Sequence, residues 1–270
     1  MGRVAAGIVV ATCVMLASCA ADGDANPGLQ ATLQRSTLFE TQRALLLEVR
    51  PDGDHDLEVG AIQLSSPLFE TVPPEPRDAL VRASDRAVAM PLPFGAARCD
   101  GASDGPAQLI TDVDGEEVRV ALDESPPGVL VALHAAECAA AAVLADVELR
   151  LGARWELTAP RTVEGDLEVV QRRPGVTAAV EDLAGNVIFS VSTDDGPGPW
   201  LEVSDDHPSA GGVVVVYAAR CDPHALIEYK RTFTLSAWVR VGGDEPVRVD
   251  VEAEGDAHRV LEELLAACLE

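Results

Sequence analysis

The pentapeptide Ala-Ala-Arg-Cys-Asp occurs at residues 96–100 and again at 218–222. Each copy leads through an irregular stretch and two strand-like runs to a short Ala/Leu-rich helix that ends in cysteine, Cys138 in the first copy and Cys268 in the second. Val113-Asp114-Gly115 aligns with Val241-Gly242-Gly243, and Val118-Arg119-Val120 with Val247-Arg248-Val249. A chain organised this way is a tandem of two like units. The repeat also selects a disulfide pattern. Of six cysteines, Cys13 lies in the N-terminal apolar run and Cys19 closes it, which leaves four and three possible pairings. Equivalence between the copies pairs Cys99 with Cys138 and Cys221 with Cys268. Each bridge closes a long loop and contributes about 4 kcal/mol by the chain-entropy model. Zinc is a poorer reading, since no Cys-x-x-Cys pair accompanies these cysteines.

The N-terminus bears on location. Arg3 precedes an apolar run, Val4 to Ala17, that suits a signal-peptide core and is short for a membrane span. It closes on Leu16-Ala17-Ser18-Cys19. That string resembles the lipobox of bacterial lipoproteins, which implies diacylglyceryl attachment at Cys19, cleavage just before it and a lipid anchor on the extracytoplasmic face of the cell membrane. The expected divisions are a signal peptide over 1–18, a flexible tether over 19–36, and units over 37–141 and 142–270.

Charge narrows the partners. With 20 Lys+Arg against 45 Asp+Glu the formal charge is −25, a surface that repels phosphate backbones and anionic lipid. Nucleic acid is therefore not expected as a partner, and the folded part should stand off the membrane. Hydrophobic residues make up 47%, enough for a sizeable core. Only one basic residue is lysine, Lys230, a usage that resembles that of a GC-rich actinomycete.

Strand-like runs recur throughout. "RALLLEVRP" and "LEVGAIQLSS" flank a Pro-Asp-Gly-Asp turn, "QLITDVDGEEVRVAL" reads as a hairpin about Asp114-Gly115, and "RTFTLSAWVRVGGDEPVRVDVEA" as its counterpart. Helices are expected over "GVLVALHAAECAAAAV", capped by Ser125 with Pro126 and Pro127 in its first turn, and over "DAHRVLEELLAAC". Seven or so short strands per unit predict a mainly β fold, tandem immunoglobulin-like β-sandwiches each closed by a short C-terminal helix. The order of "VRPDG", "IQLSSPLF", "VPP" and "PLPFG" resembles immunoglobulin-like modules of the abnormal-spindle and major-sperm-protein type. With "RCDPHA…KRTF" in the second unit, the chain also resembles uncharacterised actinobacterial lipoproteins carrying two such units. The resemblance implies a fold and no catalytic residue.

Candidate chemistry is sparse. "CDPHALIEYKR" gathers Asp222, His224, Glu228, Lys230 and Arg231, which could receive an anion or a metal. The same residues also read as a helix start, with Asp222 as N-cap and Pro223 in the first turn. Asp52, Asp54 and Asp56 alternate in an acidic turn, but Leu57 and Gln63 stand where an EF-hand needs Gly and Glu. Trp155, Trp200 and Trp238 read as core, Trp200 in "GPGPW" being the one that a loop could instead expose for a contact. His134, His207 and His258 are scattered, and no nucleophile elbow, zincin motif or phosphate loop is present. No cofactor and no catalytic residue are expected. The leading expectation is a non-catalytic binding or scaffolding lipoprotein of the envelope, with a protein or glycan partner. Its rivals are an envelope enzyme or accessory subunit with a site at the unit junction, and an acidic metal- or ligand-capture protein.

Overall fold

The computed structural model describes residues 28–84, 86–101, 105–193, 199–222, 224–225 and 231–269. The chain forms tandem immunoglobulin-like β-sandwiches with two separate hydrophobic cores.

The first unit contains β1 (Leu29–Gln34), β2 (Ala44–Pro51), β3 (Leu57–Ser65), β4 (Ala79–Val81), β5 (Val88–Pro93), β6 (Gln108–Val113) and β7 (Glu116–Glu124), in the order β4-β3-β6-β7-β1-β2-β5. The strand β7 changes layer. Its first six residues pair antiparallel with β6, and its last three pair parallel with β1. Alternation of buried and half-buried positions follows the two-residue period of the pleat, so Leu45, Leu47 and Val49 of β2 face Leu29, Ala31 and Leu33 of β1 in one core. The β6–β7 hairpin turns at Asp114 and Gly115, whose φ values of +52° and +87° are those of a type I′ turn, as the Asp-Gly pair predicts.

One expectation fails here. The tether expected over 19–36 ends early, because Leu29–Gln34 is a strand inside the sheet, hydrogen-bonded on both edges. The burial of Leu29, Ala31 and Leu33, all at 2% exposure or less, holds it there.

The helix α1 (Val129–Asp146) begins after Gly128 rather than at the prolines, and it runs two turns past Cys138. Ser125 does not cap it. The Glu124 carboxylate accepts from the Leu130 backbone N–H instead, at 3.3 Å. The helix passes directly into β8 (Val147–Ala159), so the expected boundary at 141/142 falls inside a continuous element. Val129 and Leu130 join the first core, and Val143 joins the second.

The second unit adds β9 (Thr162–Gln171), β10 (Ala178–Ala184), β11 (Phe189–Thr193), β12 (Leu201–Val203), β13 (Ser209–Ala218), β14 (Thr234–Val241) and β15 (Val247–Glu252). Two four-stranded sheets, β12-β10-β14-β15 and β11-β13-β9-β8, enclose its core. The closing helix α2 (Gly255–Leu269) buries Ala257, Val260, Leu261 and Leu264, the stripe an amphipathic helix presents to a sheet. Both expected disulfides are present. Cys99–Cys138 and Cys221–Cys268 have Cα separations of 5.3 and 5.4 Å.

Candidate functional site

The string that looked most like a site resolves into local structure where it is described. Asp222 Oδ1 accepts the backbone N–H of Ala225 at 2.9 Å, and Arg220 Nε donates to Oδ2 at 2.6 Å. The Ala225 N–H, followed by the Arg220 guanidinium, holds the Asp222 carboxyl below the usual carboxylate range. Asp222 is thus the cap that its position before Pro223 suggests. His224 lies exposed beside it, and Arg231 turns away to donate to Asp250 Oδ2 at 2.6 Å. Glu228 and Lys230 lie outside the described residues, as does Cys19. The chain into β14 is fixed by Asn186, whose Nδ2 donates to the Thr232 and Thr234 carbonyls at 2.8 and 3.1 Å. Its Oδ1 accepts from the Ile188 and Phe189 N–H groups.

Trp200 is not a loop contact. It is 8% exposed, packs within the second core and lies flat on Gly212, where a Cβ would stand 2.6 Å from the ring. Its backbone N–H donates to the Val180 carbonyl at 2.8 Å, which ties the chain before β12 to β10. The acidic turn does not converge either. Asp56 Oδ1 accepts from the Ala83 N–H at 2.9 Å and Asp52 receives Gln30. Among the described residues, no group of three or more His, Cys, Asp or Glu is placed to hold a metal.

What the fold does assemble is a cleft at the junction of the two units, of about 940 Å³. Arg43, Leu45 and Phe94 bound it on the first unit, α1 contributes Leu133, Ala136, Glu137 and Leu144, and Phe233, Arg248 and Asp250 bound it on the second. Arg43 is a fixed group. Its backbone lies at φ +48°, its guanidinium stacks 4.9 Å from the Phe94 ring centroid, and it reaches Gly95 O at 2.9 Å and Glu137 Oε2 at 3.0 Å. A non-glycine residue at positive φ is strained and persists where its surroundings over-determine it. On the opposite wall Asp250 receives Arg231 on one oxygen and Arg248 with Ser236 on the other. The wall is therefore a hydrogen-bonded network of guanidinium and carboxylate, next to apolar surface from α1 and two phenylalanines.

Of the expected site residues, only Arg231 belongs to this cleft. Arg43, Glu137, Arg248 and Asp250 escape sequence reading because they are spread over some two hundred residues with no motif linking them. The one usable signal is the predicted junction between repeats, since ligand sites favour such junctions.

No protein-family model matches the chain, and none of the curated proteins does. Among solved structures, a protein of unknown function from Porphyromonas gingivalis W83 is 13% identical, covering 84% of this chain and 100% of its own, with a TM-score of 0.21. The Amycolatopsis orientalis exo-chitosanase CsxA is 10% identical over 85% of this chain and 27% of its own, with a TM-score of 0.20. CBD12 from CALX1.2 is 8% identical over 80% of this chain and 82% of its own, with a TM-score of 0.18. Likenesses at that level assign no function.

Proposed function

We propose that the protein is a lipid-anchored binding module on the extracytoplasmic face of a bacterial cell membrane, without catalysis of its own, that engages an envelope protein or glycan in the cleft between its two sandwiches. The observation that carries this reading is the cleft itself. It has the volume of a ligand site, lies at a junction of units, and sets apolar surface beside ordered arginines and carboxylates. The state of its carboxylates favours binding over chemistry. Glu137 is engaged by Arg43, and Asp250 by Arg231 and Arg248, which suits a rigid recognition surface better than groups that exchange protons with a substrate. The placement in the envelope is supported by the Leu16-Ala17-Ser18-Cys19 string and by two disulfides, which persist in oxidising compartments.

A photo-crosslinking residue at Ala136, inside the cleft, tests the binding role in living cells. The expected result is a discrete adduct that is absent when the same group stands at Val187, which is 46% exposed and outside the cleft lining. Equal labelling from both positions would rule out the cleft as the binding surface. Cys19→Ser should move the protein from the membrane to the soluble fraction, and unchanged fractionation would remove the anchor from the proposal.

A further inference from the structure

We infer that the Cys99–Cys138 bridge is a directional thiol-exchange site, at which an incoming thiolate attacks Cys99 and Cys138 departs as a thiolate received by His134. Access sets the first half of the direction. Cys99 lies exposed on the loop after β5, whereas Cys138 is half-buried on α1. Exchange needs the attacking thiolate to reach one sulfur in line with the bond, so the sulfur of the more exposed residue is the target.

The leaving group sets the second half. His134, one turn before Cys138 on α1, places Nε2 3.0 Å from the Arg98 carbonyl oxygen and 3.6 Å from Cys138 Sγ. A carbonyl oxygen only accepts, so Nε2 is the nitrogen that carries the proton, and that N–H also lies within reach of the sulfur. The ring is held by an edge contact with buried Phe69, centroids 6.0 Å apart and planes at 88°. Cys99 Sγ instead faces the Ala97 carbonyl oxygen at 3.8 Å, an acceptor that disfavours negative charge there. A thiolate is therefore better accommodated at Cys138, and a better-accommodated thiolate leaves faster.

The step balances with a thiol or dithiol reductant, the class of thioredoxin-like oxidoreductases or of small thiols. The reductant thiolate forms a bond to Cys99 Sγ as the Cys99–Cys138 bond breaks, and the electron pair passes to Cys138 Sγ, which accepts the His134 N–H. A second reductant thiolate then attacks the reductant sulfur of the mixed disulfide and releases Cys99 as a thiolate. Two electrons reach the protein, two protons complete the thiols, and the reductant becomes its disulfide. The other bridge supplies an internal reference. Arg161 Nη2 contacts Cys221 Sγ and lies 3.6 Å from Cys268 Sγ, so the donor at this bridge is a guanidinium and not the His134 N–H.

The test treats the oxidised full chain briefly with reduced glutathione as the probe, quenches with excess N-ethylmaleimide, and maps the adducts by peptide mass. Glutathione is expected on Cys99 with the maleimide on Cys138, in about tenfold excess over the reverse pair. His134→Phe keeps a ring against Phe69 and removes the N–H. It should slow exchange at this bridge about tenfold while the Cys221–Cys268 rate holds. His134→Gln, which retains an N–H donor, should recover part of the rate. Glutathione mainly on Cys138, or an unchanged rate in His134→Phe, would overturn the assignment. Should that variant fail to fold, the adduct ratio in the unmodified protein decides alone.

Discussion

Leu33→Ala examines whether β1 is a structural strand, against the expectation that this stretch is a tether. Leu33 is fully buried at the centre of the first core, pairs across from Leu47 of β2, and lies beside Glu124 of β7 on its other edge. Backbone on both sides limits collapse around the lost side chain, and its carbonyl is committed to the Ser125 N–H at 2.9 Å. Leu-to-Ala changes in such sites cost about 2–5 kcal/mol, and restricted collapse places this one at about 3–4. For a unit of this size that lowers the melting temperature by about 15–25 °C. The assay has a built-in separation. All three tryptophans, Trp155, Trp200 and Trp238, lie in the second unit, so their fluorescence follows that unit, whereas far-UV circular dichroism follows both. Leu33→Ala should shift a dichroism transition while the fluorescence transition stays in place. Thr32→Ala, at the neighbouring half-buried position, should change stability by under about 0.5 kcal/mol. A Leu33→Ala cost below about 1 kcal/mol, equal to that of Thr32→Ala, would refute the assignment of β1 to the core.

Three further outcomes are expected. Replacing Cys221 and Cys268 together by serine removes a crosslink across 47 residues and should destabilise the second unit by about 4 kcal/mol, read as a loss confined to the fluorescence transition. Gly212→Ala should cost about 1–3 kcal/mol and alter tryptophan emission, since the new methyl must displace the Trp200 ring; native-like emission and stability would contradict the packing. Asp222 and Asp205 have carboxyls held low by backbone N–H groups, from Ala225 and Gly175 respectively, then by Arg220 and Gln171. A depressed folded value means that their contribution is complete above the unfolded carboxylate pKa of about 3.9 and is lost as pH falls through the folded value. NMR titration should place both midpoints below that of an exposed aspartate, and midpoints at or above it would contradict the caps.

The legible parts of the fold are those with local chemistry behind them. Asp114-Gly115 dictates its turn, the 3.6-residue stripe of α2 dictates its buried face, and the duplicated cysteine context pairs the bridges. β1 escaped because its alternation rests on six residues with a small alanine at the middle buried position, directly after an Asp/Gly/Pro-rich stretch. The length of α1 escaped for a related reason. Ala139 to Ala142 form a run without a polar face, so nothing in the pattern says where the helix stops or which side it buries. For Trp200 the core reading holds over the loop contact, because its loop composition, "GPGPW", speaks for the backbone only. Its inward seat rests on the Val180 carbonyl, which holds its backbone N–H, and on the space over Gly212, both distant in sequence.

The junction was legible but the residues that line the cleft were not, and its shape follows from one element. In the second unit the helix closes a sandwich. In the first, the equivalent helix continues past its cysteine, so Cys138, Glu137 and His134 tie its N-terminal half to the first sandwich while Val143 seats its C-terminal half in the second. Its end is held firmly. The Asp146 carbonyl accepts the Arg172 and Arg173 N–H groups at 2.8 and 3.3 Å, Arg172 Nη1 reaches Leu144 O at 3.1 Å, and Arg173 pairs with the buried Asp146 carboxylate at 2.8 Å. Two arginines at a helix C-terminus satisfy its last carbonyls and its dipole together. With no linker between it and β8, and the Cys99–Cys138 bridge on its other half, the helix fixes the walls of the cleft relative to each other. A recognition surface that is pre-set in this way loses less conformational entropy on binding than one assembled from loops.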